Sequence, residues 1–413
     1  MKVELLVTGD EIIRGSIVDT NSAWLLQRLP EAGADVTRIT TVGDDRSLLL
    51  TTMREAAARA DVVVVSGGLG PTSDDLTVEC AAEVAGVRTV NHAETLTRIQ
   101  ARWAKRGKPM PPAVEKQAWV PEGAEVLAND EGTAPGFRLK WDRAECFFFA
   151  GVPREFRHLC EQHLLPWLKK RATRGITTRT LRCVGIPESE LDALLLPLAE
   201  QQGFKLGLRA AYPETWASLT VEDASLESAL SRLDAAVAAA ESTIGILCYS
   251  KDNESLAAVV GRLLLQHGWT VSVAESCTGG LLGAALTEVA GSSRYFLGGA
   301  LTYSNEEKTR AVGVPAELIA QHGAVSEPVA RAMADGIRRR VGSTCSLAIT
   351  GVAGPGGGTP EKPVGTVWIA VATPNGTHAA LHRFTRPDRE SIRAASVSAA
   401  LDLLRRELLE PEA

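Results

Sequence analysis

Apolar residues along this chain fall into short runs, and between the runs lie longer stretches in which apolar positions return every third or fourth residue. From Lys2 to about Leu165 the runs VELLVTG, DVTRITTVG and DVVVVSGG alternate with NSAWLLQRLPEAG and with a helical pattern ending at Arg59. Strand and helix in alternation predicts βαβ units and a mostly parallel sheet. The pattern breaks at Trp167 to Arg174, where WLKKRATR turns basic and poorly apolar, and a linker is expected there. A smaller α+β unit follows, with strand TTRTLRCVGI, helix ESELDALLLPLAEQQ, strands FKLGLRAAY and WASLTVE, and helix LESALSRLDAAVAAAES. A second linker is expected at 248–253, before the helix ESLAAVVGRLLLQHG. Strand and helix then alternate again through TVSVAES, TGGLLGAALTEVAG, LGGALTYS, EEKTRAVG and SEPVARAMADGIRRRVG, the last with Ser326 as its candidate N-cap. Strands CSLAITG, VGTVWIAVAT and HAALHRFT and a helix from about Arg389 to Leu409 close the chain. The expected fold class is α/β in three domains, 1–168, 175–247 and 252–413, the first and last α/β and the middle one a small α+β unit.

Length supports that division, because 413 residues exceed what one ordinary core holds. With 45% hydrophobic residues, 23% charged residues and a net charge of −6, the composition is that of a soluble globular enzyme and demands neither a nucleic-acid nor a membrane partner. The apolar runs at 62–65, 146–150 and 366–372 are far shorter than the roughly 18 residues of a membrane helix and read as buried strands. The N-terminus enters a strand directly, with neither the apolar region nor the cleavage site of a signal peptide, so the cytoplasm is the expected compartment. Seven cysteines, at 80, 146, 160, 183, 248, 277 and 345, form no C-x-x-C pair and no zinc spacing and are read as small core residues. Cys277 lies in AESCTGG beside an expected pocket, but no histidine nearby in sequence would make it a thiolate.

Candidate chemistry concentrates in the last domain. Ser293, Tyr303 and Lys308 lie at short spacing between two Gly-rich turns. A serine hydroxyl needs a base, and a lysine held neutral by its surroundings can serve. In this reading Lys308 takes the proton of Ser293, Ser293 attacks a carbonyl, and Tyr303 relays a proton to the departing amine; Ser276 competes for the nucleophile role. The first turn, Glu275-Ser276-Cys277-Thr278-Gly279-Gly280, joins a strand to a helix, so its amides suit a phosphate or an oxyanion, or Ser276 or Thr278 simply caps the helix. The second turn, from Thr350 and Gly351 to Gly354, Pro355 and Gly358, also follows a strand, so both loops are expected at one carboxyl edge, where open α/β sheets bind ligands.

In the first domain, Thr8-Gly9-Asp10-Glu11 and Asp19-Thr20-Asn21 accompany a loop running from Ser66 to Thr77. Gly67, Gly68 and Gly70 would let backbone amides approach a pyrophosphate, with Asn21 and Thr72 beside them. The carboxylates of Asp74 and Asp75 would hold Mg²⁺ or a similar hard cation beside that pyrophosphate, or they are a solvated turn. The loop lacks the G-x-x-x-x-G-K-[ST] pattern of a P-loop. The basic residues Lys169, Lys170, Arg171, Arg174 and Arg179 are read as a solvated linker rather than a nucleic-acid site.

The segments AESCTGGLLGAALTEVAGSS, GGALTYSNEEK, HGAVSEPVA, ITGVAGPGGG and EKPVGTVW resemble, in order and spacing, the C-terminal domain of the competence- and damage-inducible protein A (CinA) family. That resemblance implies a nicotinamide mononucleotide deamidase needing no cofactor, with Ser293, Tyr303 and Lys308 as a serine amidohydrolase set and Ser276 and the glycine loops lining the pocket. The N-terminal segments, with NDEGTAPG at 129–136 and GVPRE at 151–155, resemble the molybdopterin-binding fold, although Ala150 stands where that fold often has proline. In this family the domain implies metal-dependent hydrolysis of ADP-ribose to AMP and ribose 5-phosphate, with Asp10, Glu11, Asp74 and Asp75 as the candidates for metal and phosphate handling. The middle unit resembles a KH-like fold without an evident G-x-x-G loop, and is read as a spacer or dimerisation module. The expected whole is a bifunctional pyridine-nucleotide recycling enzyme acting on small nucleotides as a homodimer. The alternatives are a nucleotide- or pterin-binding protein without turnover that assists DNA uptake or recombination, and a role in molybdenum cofactor synthesis.

Overall fold

The computed structural model describes residues 1–386 and 388–409; residues 410–413 of the expected C-terminal domain lie outside them. The described chain packs as two compact units, residues 1–178 with 221–232, and residues 179–220 with the described part of 233–413.

The first unit is built on a six-stranded sheet of β1 (Lys2–Thr8), β2 (Asp35–Val42), β3 (Val62–Ser66), β4 (Glu125–Leu127), β5 (Gly136–Trp141) and β6 (Ala144–Phe149) in the order β2-β1-β3-β6-β5-β4. β1, β2, β3 and β6 run parallel, and β5 and β4 return antiparallel. All five residues of β3, VVVVS, are buried because the strand alternates its side chains between two cores. Val63 and Val65 pack with Leu49, Met53 and Ala81 of helices α2 (Arg46–Arg59) and α3 (Thr77–Ala85). Val62 and Val64 pack on the opposite face with Leu25 of α1 (Thr20–Leu26) and Phe156 of α4 (Pro153–Leu159). Parallel register brings the carboxyl ends of β1, β3 and β6 to one edge, where the Gly67 amide donates to the Phe149 carbonyl at 3.0 Å. Arg174, expected in a solvated linker, is instead pinned between the carboxylates of Asp35 and Glu222.

In the middle segment β7 (Gly175–Val184), β8 (Lys205–Ala211), β9 (Glu214–Asp223) and β10 (Cys248–Ser250) form a sheet in the order β8-β9-β7-β10, accompanied by helices α5 (Glu188–Gln202) and α6 (Leu226–Ile244). Residues 248–250, read as the opening of a linker, are thus a strand. Tyr249 and Ser250 are buried, and Cys248 pairs with Cys183 across the sheet.

The last part of the chain carries a five-stranded sheet of β11 (Val271–Glu275), β12 (Phe296–Leu301), β13 (Cys345–Gly351), β14 (Thr366–Thr373) and β15 (Gly376–Arg383) in the order β12-β11-β13-β14-β15. The first three are parallel, with Glu275 opposite both Leu301 and Ile349. One face carries the larger residues Val271, Val273, Leu347 and Ile349 against α7 (Leu256–His267), α8 (Leu281–Glu288) and α11 (Arg389–Leu409). The other presents alanines 274, 348, 370 and 372 to α10 (Glu327–Val341), behind α9 (Asn305–Val312). Ser326 stands at the N-cap of α10, but its hydroxyl turns back to the Gly323 carbonyl at 2.8 Å instead of capping. Where α10 meets α9, a Cβ on Gly336 would lie 1.7 Å from the Val312 carbonyl oxygen.

That contact sets a stability test. Alanine is worth about 1 kcal/mol more than glycine in a helix interior, whereas forcing a methyl into a filled contact costs about 1–3 kcal/mol. Gly336→Ala is therefore expected to lower the melting temperature; an unchanged or raised midpoint in a thermal melt would show that α9 is not held against α10 in this way.

Candidate active site

Parallel pairing delivers three loops of the last sheet to one carboxyl edge. Ser276 follows β11 and its amide donates to the Ile349 carbonyl at 3.0 Å; Thr302 follows β12 and its amide donates to the Glu275 carbonyl at 2.7 Å. Glu275 is 1% exposed, and its carboxylate accepts the amides of Gly280 (3.0 Å), Leu282 (3.1 Å) and Gly283 (2.8 Å). The α8 amides expected to meet a phosphate are therefore occupied from within, and Glu275 and Gly280 build the loop instead of facing a ligand. Gly279 and Gly280, at φ of 58° and 99°, allow the left-handed turn that folds those amides back onto Glu275. No backbone carbonyl among the described residues accepts the amides of Cys277 and Thr278.

Lys308 is 1% exposed on α9, whose N-cap Ser304 hydroxyl accepts the Glu307 amide at 3.2 Å. Its Nζ donates to Ser276 Oγ at 3.1 Å, to the Thr302 carbonyl at 2.8 Å and, more weakly, to the Tyr303 carbonyl at 3.4 Å. Burial pushes the lysine below its ordinary range, partly opposed by Cys277 and the Glu306 charge. Tyr303 is 63% exposed, and its hydroxyl accepts from Arg389 Nη2 at 3.1 Å while Arg389 Nη1 donates to the Gly354 carbonyl at 2.8 Å. One turn along α11, Arg393 Nη2 donates to the Thr278 carbonyl at 2.7 Å; its Nε and the Thr278 hydroxyl are buried without partners.

Ser293 stands elsewhere. It belongs to the short turn Ser292–Arg294 before β12, next to Tyr295, whose carbonyl takes the amide of Val271 at the start of β11. Lys308 follows the other end of the same strand, and six residues of strand span about 20 Å, so the expected Ser293–Lys308 pair is not formed within the chain. Ser276 is the serine against the lysine. Thr350 is likewise structural, its hydroxyl donating to the Ala324 carbonyl at 2.9 Å, and a Cβ on Gly351 would lie 2.6 Å from the Val367 side chain. Gly354 supplies its carbonyl to Arg389, and Pro355 follows it on the exposed loop. Burial pushes the Cys277 thiol up to about 11, which leaves it unreactive at neutral pH.

In the first unit the carboxyl edge of β1, β3 and β6 opens onto a cavity of about 450 Å³. Asn21 donates to Ser66 Oγ (3.1 Å) and to the Gly151 carbonyl (2.8 Å), which leaves its Oδ1 buried and unpartnered, as is the Thr8 hydroxyl. Gly67, Gly68 and Gly70 are each required by close neighbours, since a Cβ would meet Thr8, Thr77 and Asp75 respectively within 2.6 Å. The Thr72 amide donates to Asp75 Oδ2 at 2.9 Å, so Asp75 holds its own loop together. Asp10 pairs with Arg14 at 2.6 Å and accepts the Asp44 amide at 3.2 Å. Glu11, Asp44 and Asp74 line the cavity; Asp44 is pushed up by burial and by the charges of Asp10, Glu11 and Asp74. Among the described residues no three or more Asp, Glu, His or Cys side chains are placed to hold a metal ion together. Asp10 is engaged by Arg14 and Asp75 by Thr72, so the four carboxylates expected to hold a cation are not gathered around one point among the described residues.

Residues 4–170 match a probable molybdopterin binding domain and residues 253–408 match the CinA C-terminal domain. A CinA-like protein of Anaeromyxobacter sp. (strain Fw109-5) is 46% identical over 408 residues, covering 98% of this chain and 98% of its own. Another, of Myxococcus xanthus (strain DK1622), is 45% identical over 421 residues and covers 99% of each. Among solved structures, the competence/damage inducible protein CihA from Agrobacterium tumefaciens is 42% identical, covers 38% of this chain and 94% of its own, and has a TM-score of 0.37. With relatives of this identity along nearly its whole length, the chain belongs to the CinA family.

Proposed function

We propose that the C-terminal site hydrolyses the carboxamide of nicotinamide mononucleotide to nicotinic acid mononucleotide and ammonia, with Ser276 as nucleophile. The buried Lys308 Nζ, 3.1 Å from Ser276 Oγ, is the observation that carries this reading. Burial lowers the lysine below its ordinary range and so favours the neutral form, which can take the serine proton. Ser276 Oγ adds to the amide carbon, and the amides of Cys277 and Thr278, which no backbone carbonyl takes, are the donors offered to the oxyanion that forms. Lys308 returns the proton to the leaving nitrogen, and ammonia departs. A water then gives its proton to the same lysine and attacks the acyl carbon, Lys308 passes that proton to Ser276 Oγ as the acyl bond breaks, and the acid is released. Tyr303 and Arg389 form the rim, where the guanidinium suits the phosphate of a mononucleotide. The exposed Tyr303 hydroxyl, held by Arg389, serves there in substrate binding, and Lys308 takes over the proton delivery expected of it.

The cavity of the first unit supports a second reading, binding of ADP-ribose with its pyrophosphate along the loop at Gly67 to Thr72. The unpartnered Asn21 Oδ1 and Thr8 hydroxyl are polar contacts left for such a ligand. A divalent ion there would have to arrive on the substrate phosphates, with one or two carboxylates to meet it.

Ammonia release from nicotinamide mononucleotide is expected from the full chain, to fall by about a thousandfold or more in Ser276→Ala and to stay within about threefold in Ser293→Ala. The opposite ranking would return the nucleophile role to Ser293, and no release from folded wild type would remove the deamidase reading. Because only neutral Lys308 can take the proton, kcat/KM should rise with pH to a plateau below the ordinary lysine range, and Lys308→Arg should abolish the rise. A flat profile in wild type would exclude the lysine as base. For the N-terminal cavity, calorimetry should detect ADP-ribose binding that Asn21→Leu weakens about tenfold; equal affinity in the variant would place the ligand elsewhere.

A further inference from the structure

We propose that Cys183 and Cys248 form a modification site, at which a small-molecule disulfide such as oxidised glutathione installs a cross-strand disulfide between β7 and β10. The two residues are register partners on adjacent antiparallel strands. Directly opposed residues in such a ladder have Cα atoms about 4.5 to 5.5 Å apart with side chains on one face, inside the roughly 4.4 to 6.8 Å that a disulfide needs. Both cysteines are free, and the Cys248 thiol donates only a long bond, to the Ser250 carbonyl at 3.7 Å.

The two sulfurs differ in a way that orders the reaction. Cys183 is fully buried, whereas Cys248 is partly exposed and is the sulfur an oxidant meets first. The neighbouring Cys183 thiol holds Cys248 below its ordinary value against the opposing effect of burial, while Cys183, beside Cys248 and buried, is pushed up. Cys248 thiolate attacks one sulfur of oxidised glutathione, forming a mixed disulfide and expelling one glutathione thiolate. Cys183 then loses its proton and attacks the Cys248 sulfur, expelling the second glutathione. Two cysteine thiols are oxidised, one glutathione disulfide is reduced to two thiols, and no other reactant is required. Burial pushes Cys146, Cys160, Cys277 and Cys345 above the ordinary thiol value, and none is given a partner sulfur among the described residues.

The consequence is mechanical. β10 meets β7 in only two register pairs with an irregularity between them, Cys248 with Cys183 and Ser250 with Arg182. It leads through residues 251–255 into α7, so a covalent bond at Cys248 would staple the entry of the C-terminal domain to the middle sheet and close a loop over residues 184–247.

The full chain, incubated native with excess oxidised glutathione, should lose the mass of two hydrogens. Peptide mapping without reductant should recover the Cys183 and Cys248 peptides joined, and the melting temperature should rise by several degrees and fall back with dithiothreitol. Cys183→Ser should stop at a mixed disulfide on Cys248, and Cys248→Ser should form neither an adduct on Cys183 nor an internal disulfide. An unchanged wild-type mass, a bridge between other cysteines, a bridge that forms only in denaturant, or a Cys183→Ser variant that captures no glutathione would each overturn the proposal.

Discussion

A carboxylate seated beneath the start of a helix organises the C-terminal site. Glu275 ends the central strand β11 and spends both oxygens on three amides of the loop and first turn of α8. Such bonds to an ionised acceptor are stronger than neutral ones and favour the negative charge at a helix N-terminus. They also fix the direction in which the chain leaves the strand. Ser276 is the next residue, so its hydroxyl inherits that direction and meets Lys308. The remaining components, the amides of Cys277 and Thr278 and the carbonyl that receives Arg393, lie on the same short turn.

The strand and helix order was legible because periodicity reports burial, and burial here is two-sided. β3 reads as an unbroken apolar run since alternate valines serve different cores. Linkers were less legible, because polarity alone does not distinguish a solvated stretch from an edge strand. Cys248-Tyr249-Ser250 pairs with β7, and Arg174 finds two carboxylates distant in sequence. The short helix Ala316–His322 was not anticipated, because a seven-residue element offers too little periodicity between two glycines.

The pocket was legible as a meeting of loops, but the pairing inside it was not. Ser293 lies nearer to Lys308 in sequence than Ser276 does, yet a strand intervenes and carries them to opposite edges of the sheet. Proximity along a chain predicts contact within a turn or a helix, and fails across a strand. Arg389 and Arg393 were not singled out; their spacing of four residues on one helix was the available signal that both point one way. Asp44 went unnoticed for a similar reason, since only the fold brings it beside Asp10, Glu11 and Asp74.

The contact between Gly336 and the Val312 carbonyl bears on how such a pocket can diversify. Lys308 rides on the helix that ends at Val312, and that helix cannot recede or advance without admitting a void or a clash at a spot with no spare methyl's worth of room. The floor of the pocket is therefore close to invariant in depth. New substrate preferences in proteins of this architecture should arise by substitution at the exposed rim, around Tyr303 and the loop carrying Gly354 and Pro355, with the serine and lysine left at a constant distance below.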